Sequence, residues 1–203
     1  MTIRFHPEEL LRELRALSKW HRLAFAAASA ERLLPNYVAF ARAARWGSAD
    51  TLREALDYVW LVIERQRMDA DEVQRLIARV ETVTPDTEAF RTPFTSAALD
   101  AAGAVIETLH CVLDADPQRA LIVATLARDT VDMFIQERDR LDLTRDRDFE
   151  QRIANDPLMR DELDRQHELL TELREQSALT QFFVRRLQSK AQNHGISNIR
   201  ISI

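Results

Sequence analysis

Six prolines and only three glycines punctuate a chain of 203 residues, and the placement of the prolines constrains the fold more than any other feature. Proline fixes φ and offers no N–H, so it is accepted in the first turn of a helix and resisted inside one. Thr84-Pro85, Thr92-Pro93, Asp116-Pro117 and Asp156-Pro157 each set an N-capping side chain before a proline. His6-Pro7, followed by Glu8-Glu9, is a weaker form of the same start signal. Pro35 is different. It interrupts the run Glu31-Arg32-Leu33-Leu34-Pro35-Asn36-Tyr37 inside an otherwise helical pattern, where it has no N–H for the Glu31 carbonyl. A helix running through it loses roughly 3 kcal/mol. The expectation is a helix broken or bent near Glu31, with the freed carbonyl bonded elsewhere.

Scarce turn residues, abundant alanine, leucine, arginine and glutamate, and few runs alternating apolar with polar predict an all-α fold. The length suits one domain spanning residues 1–203, able to bury a core without disulfide or metal. Cys111 is the only cysteine and cannot form an internal disulfide, which suits a reducing compartment. The segment Met1 to Glu9 carries acidic residues where a leader peptide needs a basic region, and the apolar stretch Leu23 to Ala30 is too short to span a bilayer. A cytoplasmic protein with no membrane partner is expected. The net charge of −5 does not point to nucleic acid, although residues 1–175 carry −9 and the remainder +4 through Arg185, Arg186, Lys190 and Arg200. Those four charges are read first as complements to a helix C-terminus, with weak nucleic-acid contact as an alternative.

The periodicity predicts a bundle of about seven helices. Leu10, Leu11, Leu14 and Leu17 form the stripe of the first, and Ser18 caps a second that carries the small run Ala26 to Ala30. Leu52, Leu56, Val59, Trp60 and Ile63 share a face, as do Val73, Leu76, Ile77 and Val80. From Pro93 to Leu113 the pattern is again helical. Pro117 to Arg138 begins apolar around the full turn, which marks it as the central helix. Residues 138–156 read as a charged connection with a short helix near Phe149, and 157–193 as a long final helix of roughly 50 Å, more than the roughly 40 Å breadth of such a domain. Either that helix breaks near Gln176-Ser177 or it projects to meet a second subunit, and a homodimer is the economical expectation. The alternation of Ile199, Ile201 and Ile203 predicts an extended tail packed on the core or paired across an interface.

The run Trp20 to Phe40, above all Glu31-Arg32-Leu33-Leu34-Pro35-Asn36-Tyr37, resembles the YjaG-like family of bacterial proteins (domain of unknown function 416). Leu56 to Trp60, Asp100-Ala101, the pair Glu107 and His110, and Gly195-Ile196-Ser197-Asn198-Ile199 are similar to it too. The resemblance implies a mostly helical bacterial protein with no assigned reaction. It carries no motif between Pro117 and Lys190.

Five residues are the ligand-binding candidates: Glu31, Arg32 and Tyr37 around Pro35, and Glu107 with His110. The first three could line a small pocket, or lock a kink by an ion pair and a hydroxyl bond. Glu107-Thr108-Leu109-His110 has the Glu-x-x-His spacing used in di-iron bundles, and Glu31 could add a carboxylate. Asp164 and His167 make a poorer pair with the shorter acid. A carboxylate–histidine metal protein is therefore an alternative, although no metal site and no cofactor are assigned. Asp129 and Asp132, at i, i+3 on the apolar helix, are read as an exposed edge or as partners of Arg128. Phosphate loop, Gly-x-Ser-x-Gly, Cys-x-x-Cys and His-Glu-x-x-His motifs are absent from the sequence, and Cys111 is read as a buried inert thiol. The function that follows is a homo-oligomeric interaction or regulatory protein, with no catalytic residues assigned and its small-molecule ligand unknown.

Overall fold

The computed structural model describes residues 5–203; Met1 to Arg4, part of the segment read above for a leader, lie outside the described residues. Ten helices follow in order: α1 Pro7–Ala16, α2 Lys19–Glu31, α3 Leu34–Ala44, α4 Ala49–Arg65, α5 Ala70–Thr82, α6 Thr95–Asp114, α7 Pro117–Asp139, α8 Phe149–Asn155, α9 Pro157–Arg174 and α10 Gln181–Gln192. Three features take the count from the expected seven to ten. The chain breaks rather than bends at Pro35, the final helix breaks after Arg174, close to Gln176-Ser177, and the short helix expected near Phe149 forms as α8.

Helix starts follow side-chain chemistry closely. Asp116 and Asp156 accept from Gln118 and Leu158 N–H at 2.9 and 2.8 Å, and Pro117 and Pro157 take the first helical position as predicted. Ser18, Ser48, Asp69 and Thr180 cap α2, α4, α5 and α10. Two proline signals mislead. Pro85 opens no helix, and Pro93 lies two residues before α6, in a turn held by Phe94 N–H donating to the Thr92 hydroxyl at 3.2 Å. Of the two alternatives for the span 157–193, the structure takes the break. The Thr180 hydroxyl accepts from Phe183 N–H at 3.2 Å and restarts the chain as α10, so both halves pack back on one bundle.

The centre of the bundle is shared. α6 packs on α2, α3, α4, α5 and α7; α2 packs on α4, α6, α7, α9 and α10. α7 lies centrally too but keeps an exposed edge at Asp129 and Met133. The helix buried at every position is instead α2 from Leu23 to Glu31, because its alanines let neighbours close from all sides. Burial among five helices accounts for the apolarity of α6, the one described helix long and apolar enough to cross a membrane. Phe25 and Phe40 are wholly buried, each worth about 1.5–3 kcal/mol. A second, smaller core of Val131, Ile135, Phe149, Ile153, Leu163 and Ile199 joins α7, α8 and α9 to the closing loop at residues 196–203. That loop packs on the core, one of the two expectations, and folds back on itself through an isolated antiparallel bridge between Ile196 and Ser202. Ser197 N–H donates to the Ile201 carbonyl at 2.9 Å around Arg200 at φ 63°, and Ile199 is buried in the chain's own core.

Gly47 has φ +81°, and a Cβ there would sit 2.4 Å from the Tyr37 hydroxyl. Gly47→Ala therefore combines left-handed strain with a clash, and urea unfolding is expected to show a loss of about 1–3 kcal/mol.

Candidate functional site

The break at Pro35 is the structural centre of the polar interior. α2 stops at Glu31, and Arg32 and Leu33 make a two-residue turn near the helical region. Leu33 N–H donates to Ala30 and Asn36 N–H to Leu33. Pro35 thus falls in the first turn of α3, where its missing N–H leaves no ladder bond unmade. The exceptional proline obeys the rule of the others once the chain breaks. The carbonyl that gains an outside donor is that of Arg32, one residue beyond the expected Glu31, and the donor is Asn198 N–H at 3.2 Å.

Four polar side chains leave this short run for four different elements. Glu31, 2% exposed, takes both ends of the Arg53 guanidinium at 2.7 and 2.6 Å and the Trp60 indole N–H at 2.7 Å, all on α4. Burial works against the Arg53 cation, but Glu31, with Asp57 behind it, outweighs that and holds its pKa above the ordinary arginine value. Arg32, 5% exposed, crosses to α9 and donates from Nη2 to Glu162 Oε1 at 2.6 Å. Glu162, 1% exposed, also receives Gln166 Nε2 at 2.8 Å, and that amide reaches the Ala124 carbonyl on α7. Asn36 donates to Asn198 Oδ1 at 3.1 Å, and Asn198 donates on to the Ala127 carbonyl at 2.8 Å. Tyr37 donates its hydroxyl to the Val83 carbonyl at 2.5 Å, and burial pushes its pKa up, with the Ser48 N–H opposing.

The five candidates therefore do not form one cluster. Glu31 and Tyr37 are consumed by structural bonds. Glu107 lies on α6, half-buried and paired to Arg119 at 2.9 Å, with His110 one turn on. Among the described residues no three His, Cys, Asp or Glu side chains gather with metal-binding geometry. Asp164 and His167 are exposed on α9. Arg128 closes on Asp129 and reaches Asp132 at 3.5 Å. Burial above all pushes the Cys111 thiol up to about 12, as suits an inert core residue. The basic residues after Glu175 are matched rather than free: Arg185 pairs with Glu64, Arg186 and Lys190 with Glu172, and Arg200 with Asp161.

Arg32 is the candidate that faces open space. Two adjoining hollows of about 400 and 360 Å³ share Arg32, Asp161 and Arg165. The first lies between α9 and α10 over Ala28; the second lies between α9 and the closing loop and is lined by Glu162 and Asn198. Arg32 Nε and Glu162 Oε2 are buried without a partner in the protein, although Nη2 and Oε1 are joined. The pair is thus single-pronged, and one donor and one acceptor stay buried without a bond, as Arg22 Nε and Arg53 Nε also do. Glu162 and Arg53 were not singled out from the sequence, and Asn198 entered only within the Gly195 to Ile199 run of the family resemblance. Glu162 and Gln166 interrupt the apolar stripe of α9 at i, i+4, which is the mark of a buried polar pair.

An all-helical bundle organised around a broken helix and a buried arginine–glutamate pair is the class of protein these features define. The chain belongs to the DUF416 family, described as a protein of unknown function, which matches residues 9–202. It is 23% identical over 192 residues to an uncharacterized protein of Haemophilus influenzae, covering 94% of this chain and 95% of that one. The crystal structure of a DUF416 family protein from Shewanella baltica matches with a TM-score of 0.87 at 25% identity, covering 95% of this chain and 98% of that one. The resemblance carried by Trp20 to Phe40 and the all-α expectation both hold.

Two outcomes follow from this interior. Glu31→Ala strands Arg53 and the Trp60 N–H, and chemical denaturation is expected to show a loss of about 3–5 kcal/mol. Asp100 has its pKa raised to about 6 by burial, with Asp129 adding and its Thr130 bond opposing. The folded state then holds this proton more tightly than the unfolded state, so its contribution is present below the unfolded value of 3.8 and is lost as pH rises through about 6. Asp100→Asn should therefore gain on the wild type between pH 4 and 7, by on the order of 2 kcal/mol in urea midpoints converted to stability.

Proposed function

We propose that this DUF416 protein is a cytoplasmic, non-catalytic binding protein with a regulatory role, whose groove between α9, α10 and the closing loop takes a small polar ligand. One observation carries the proposal. The floor of the groove is a buried ion pair with a donor, Arg32 Nε, and an acceptor, Glu162 Oε2, that no protein group satisfies. Buried polar atoms are ordinarily bonded, so an incomplete ion pair between two residues that also line a hollow supports a binding role there. Binding is favoured over catalysis because Glu31, Glu107 and Asp129 are each committed to an arginine. Regulation is suggested by Asn198, which lines the groove while bonding Arg32, Asn36 and Ala127. A ligand seated there would tighten the contact between α3 and the loop.

Melting the protein against a panel of small polar compounds tests this. At least one compound should raise stability in a concentration-dependent way, by about 2.7 kcal/mol at one hundred times its Kd. Replacing the groove-lining Arg165 and Lys190 together by alanine should abolish that protection. Protection unchanged in the double variant, or no protection by any compound, would overturn the proposal.

Self-association is a second reading, favoured by Phe182 on α10, which is 79% exposed. It predicts a homodimer in sedimentation experiments that Phe182→Ser converts to monomer. A wild-type monomer at high concentration ends it.

A further inference from the structure

The five helices around α6 leave one stripe of it uncovered. Leu99, Gly103, Ile106, His110 and Leu113 recur at alternating spacings of four and three, and none is fully buried, Leu99 being 37% exposed. That spacing is the seam of a helix that packs along another helix. α7 widens the stripe. Half-buried Leu126 lies against Gly103, with half-buried Ile122 one turn before it and Met133, 42% exposed, two turns after it. The acids of α6 beside the seam are satisfied within the chain: Thr130 donates to Asp100 at 2.8 Å, and Arg119 holds Glu107 at 2.9 Å and Asp114 at 3.1 Å. Covering this face therefore strands no unpaired charge.

Gly103 indicates what covers it. Glycine is the poorest helix former after proline, yet this one sits in the middle of α6 with no left-handed φ to call for it. Packing inside the chain does not call for it either, since a Cβ there would meet only Leu126 Cδ1, at an ordinary contact distance of 3.4 Å. A missing Cβ on an outward face fits a close approach from outside. The stripe also complements itself. Set antiparallel to a copy about a two-fold axis between Gly103 and Ile106, Ile106 fills the gap over the partner's Gly103, and Leu99 meets the partner's His110. Each contact then occurs twice, as two-fold symmetry requires. The face is large enough: α6 is about 30 Å long and two adjacent helices are about 20 Å wide, giving roughly 600 Å² per copy against the roughly 1,000 Å² in total that a stable pair needs.

We propose that a second copy of this chain docks on the α6–α7 face, across a two-fold axis between Gly103 and Ile106. This surface is distinct from Phe182, whose helix α10 packs on α2 and α4.

Sedimentation of the full chain over a range of concentrations tests the proposal. The wild type should be a dimer, and Ile106→Glu a monomer with unchanged helical content. Gly103→Ala should weaken the dimer by at least about tenfold. Placed in the monomeric Ile106→Glu background, the same substitution should raise the melting temperature, because alanine is the better helix former. A glycine needed inside the chain would give the opposite sign. Leu99→Cys combined with His110→Cys should yield a covalent dimer on mild oxidation, and neither single variant should. A wild-type monomer at high concentration overturns this interface together with the reading built on Phe182. A dimer that Gly103→Ala leaves equally tight, or one lost in Phe182→Ser but kept by both α6 variants, overturns the α6 interface alone.

Discussion

Proline at position 35 cannot complete a helical ladder, and the arrangement of the bundle depends on how the chain resolves that constraint. A bent helix would have left Arg32 and Asn36 on one continuous cylinder. Ending α2 at Glu31 and restarting at Leu34 instead turns a short stretch of backbone through a corner, where successive side chains radiate. Glu31 reaches α4, Arg32 reaches α9, Asn36 the closing loop, and Tyr37 the segment after α5. These elements are distant in sequence, so one broken helix sets the relative positions of two other helices and two connecting segments.

Buried charge is an expensive way to hold helices together, since apolar residues of similar volume often stabilise as well or better. Glu31 fits the defensible case. Both carboxylate oxygens receive the Arg53 fork, and Trp60 adds a third bond. Arg32 and Glu162 do not, because only one prong is made and a donor and an acceptor stay buried without a bond. Two ion pairs launched from adjacent residues therefore have different characters. The forked one braces α4, with only Arg53 Nε unbonded, and the single-pronged one joins α9 beside the groove.

What the sequence made legible follows from where the relevant forces are local. Capping chemistry placed α7 and α9, and the Glu31 to Tyr37 run marked the break, because each depends on a few neighbouring residues. The failures were non-local. The start of α7, apolar around the full turn, marked a helix that does lie centrally, but the fullest enclosure falls to α2, whose small alanines admit neighbours more closely than β-branched residues do. The amphipathic pattern from Pro157 onward left a break near Gln176-Ser177 and a projecting helix as alternatives, and the capping role of Thr180 is the local clue that decides for the break. In the groove, Arg32 stood out beside Pro35, but Glu162 lies 130 positions away and could be paired with it only once α9 was folded against α2. Glu107 and His110 carried a suggestive spacing without the converging helices that would give it chemical meaning.

The closing loop turns chain order into folding order. Asn198 satisfies the carbonyls of Arg32 and Ala127, and Ile199 fills the smaller core, yet both follow all ten helices in the chain. During synthesis the helices can form and associate while the corner at Pro35 still lacks its partner and a core position lies empty. A keystone that follows the helices gives the nascent protein a period in which those helices are made but its centre is not yet locked.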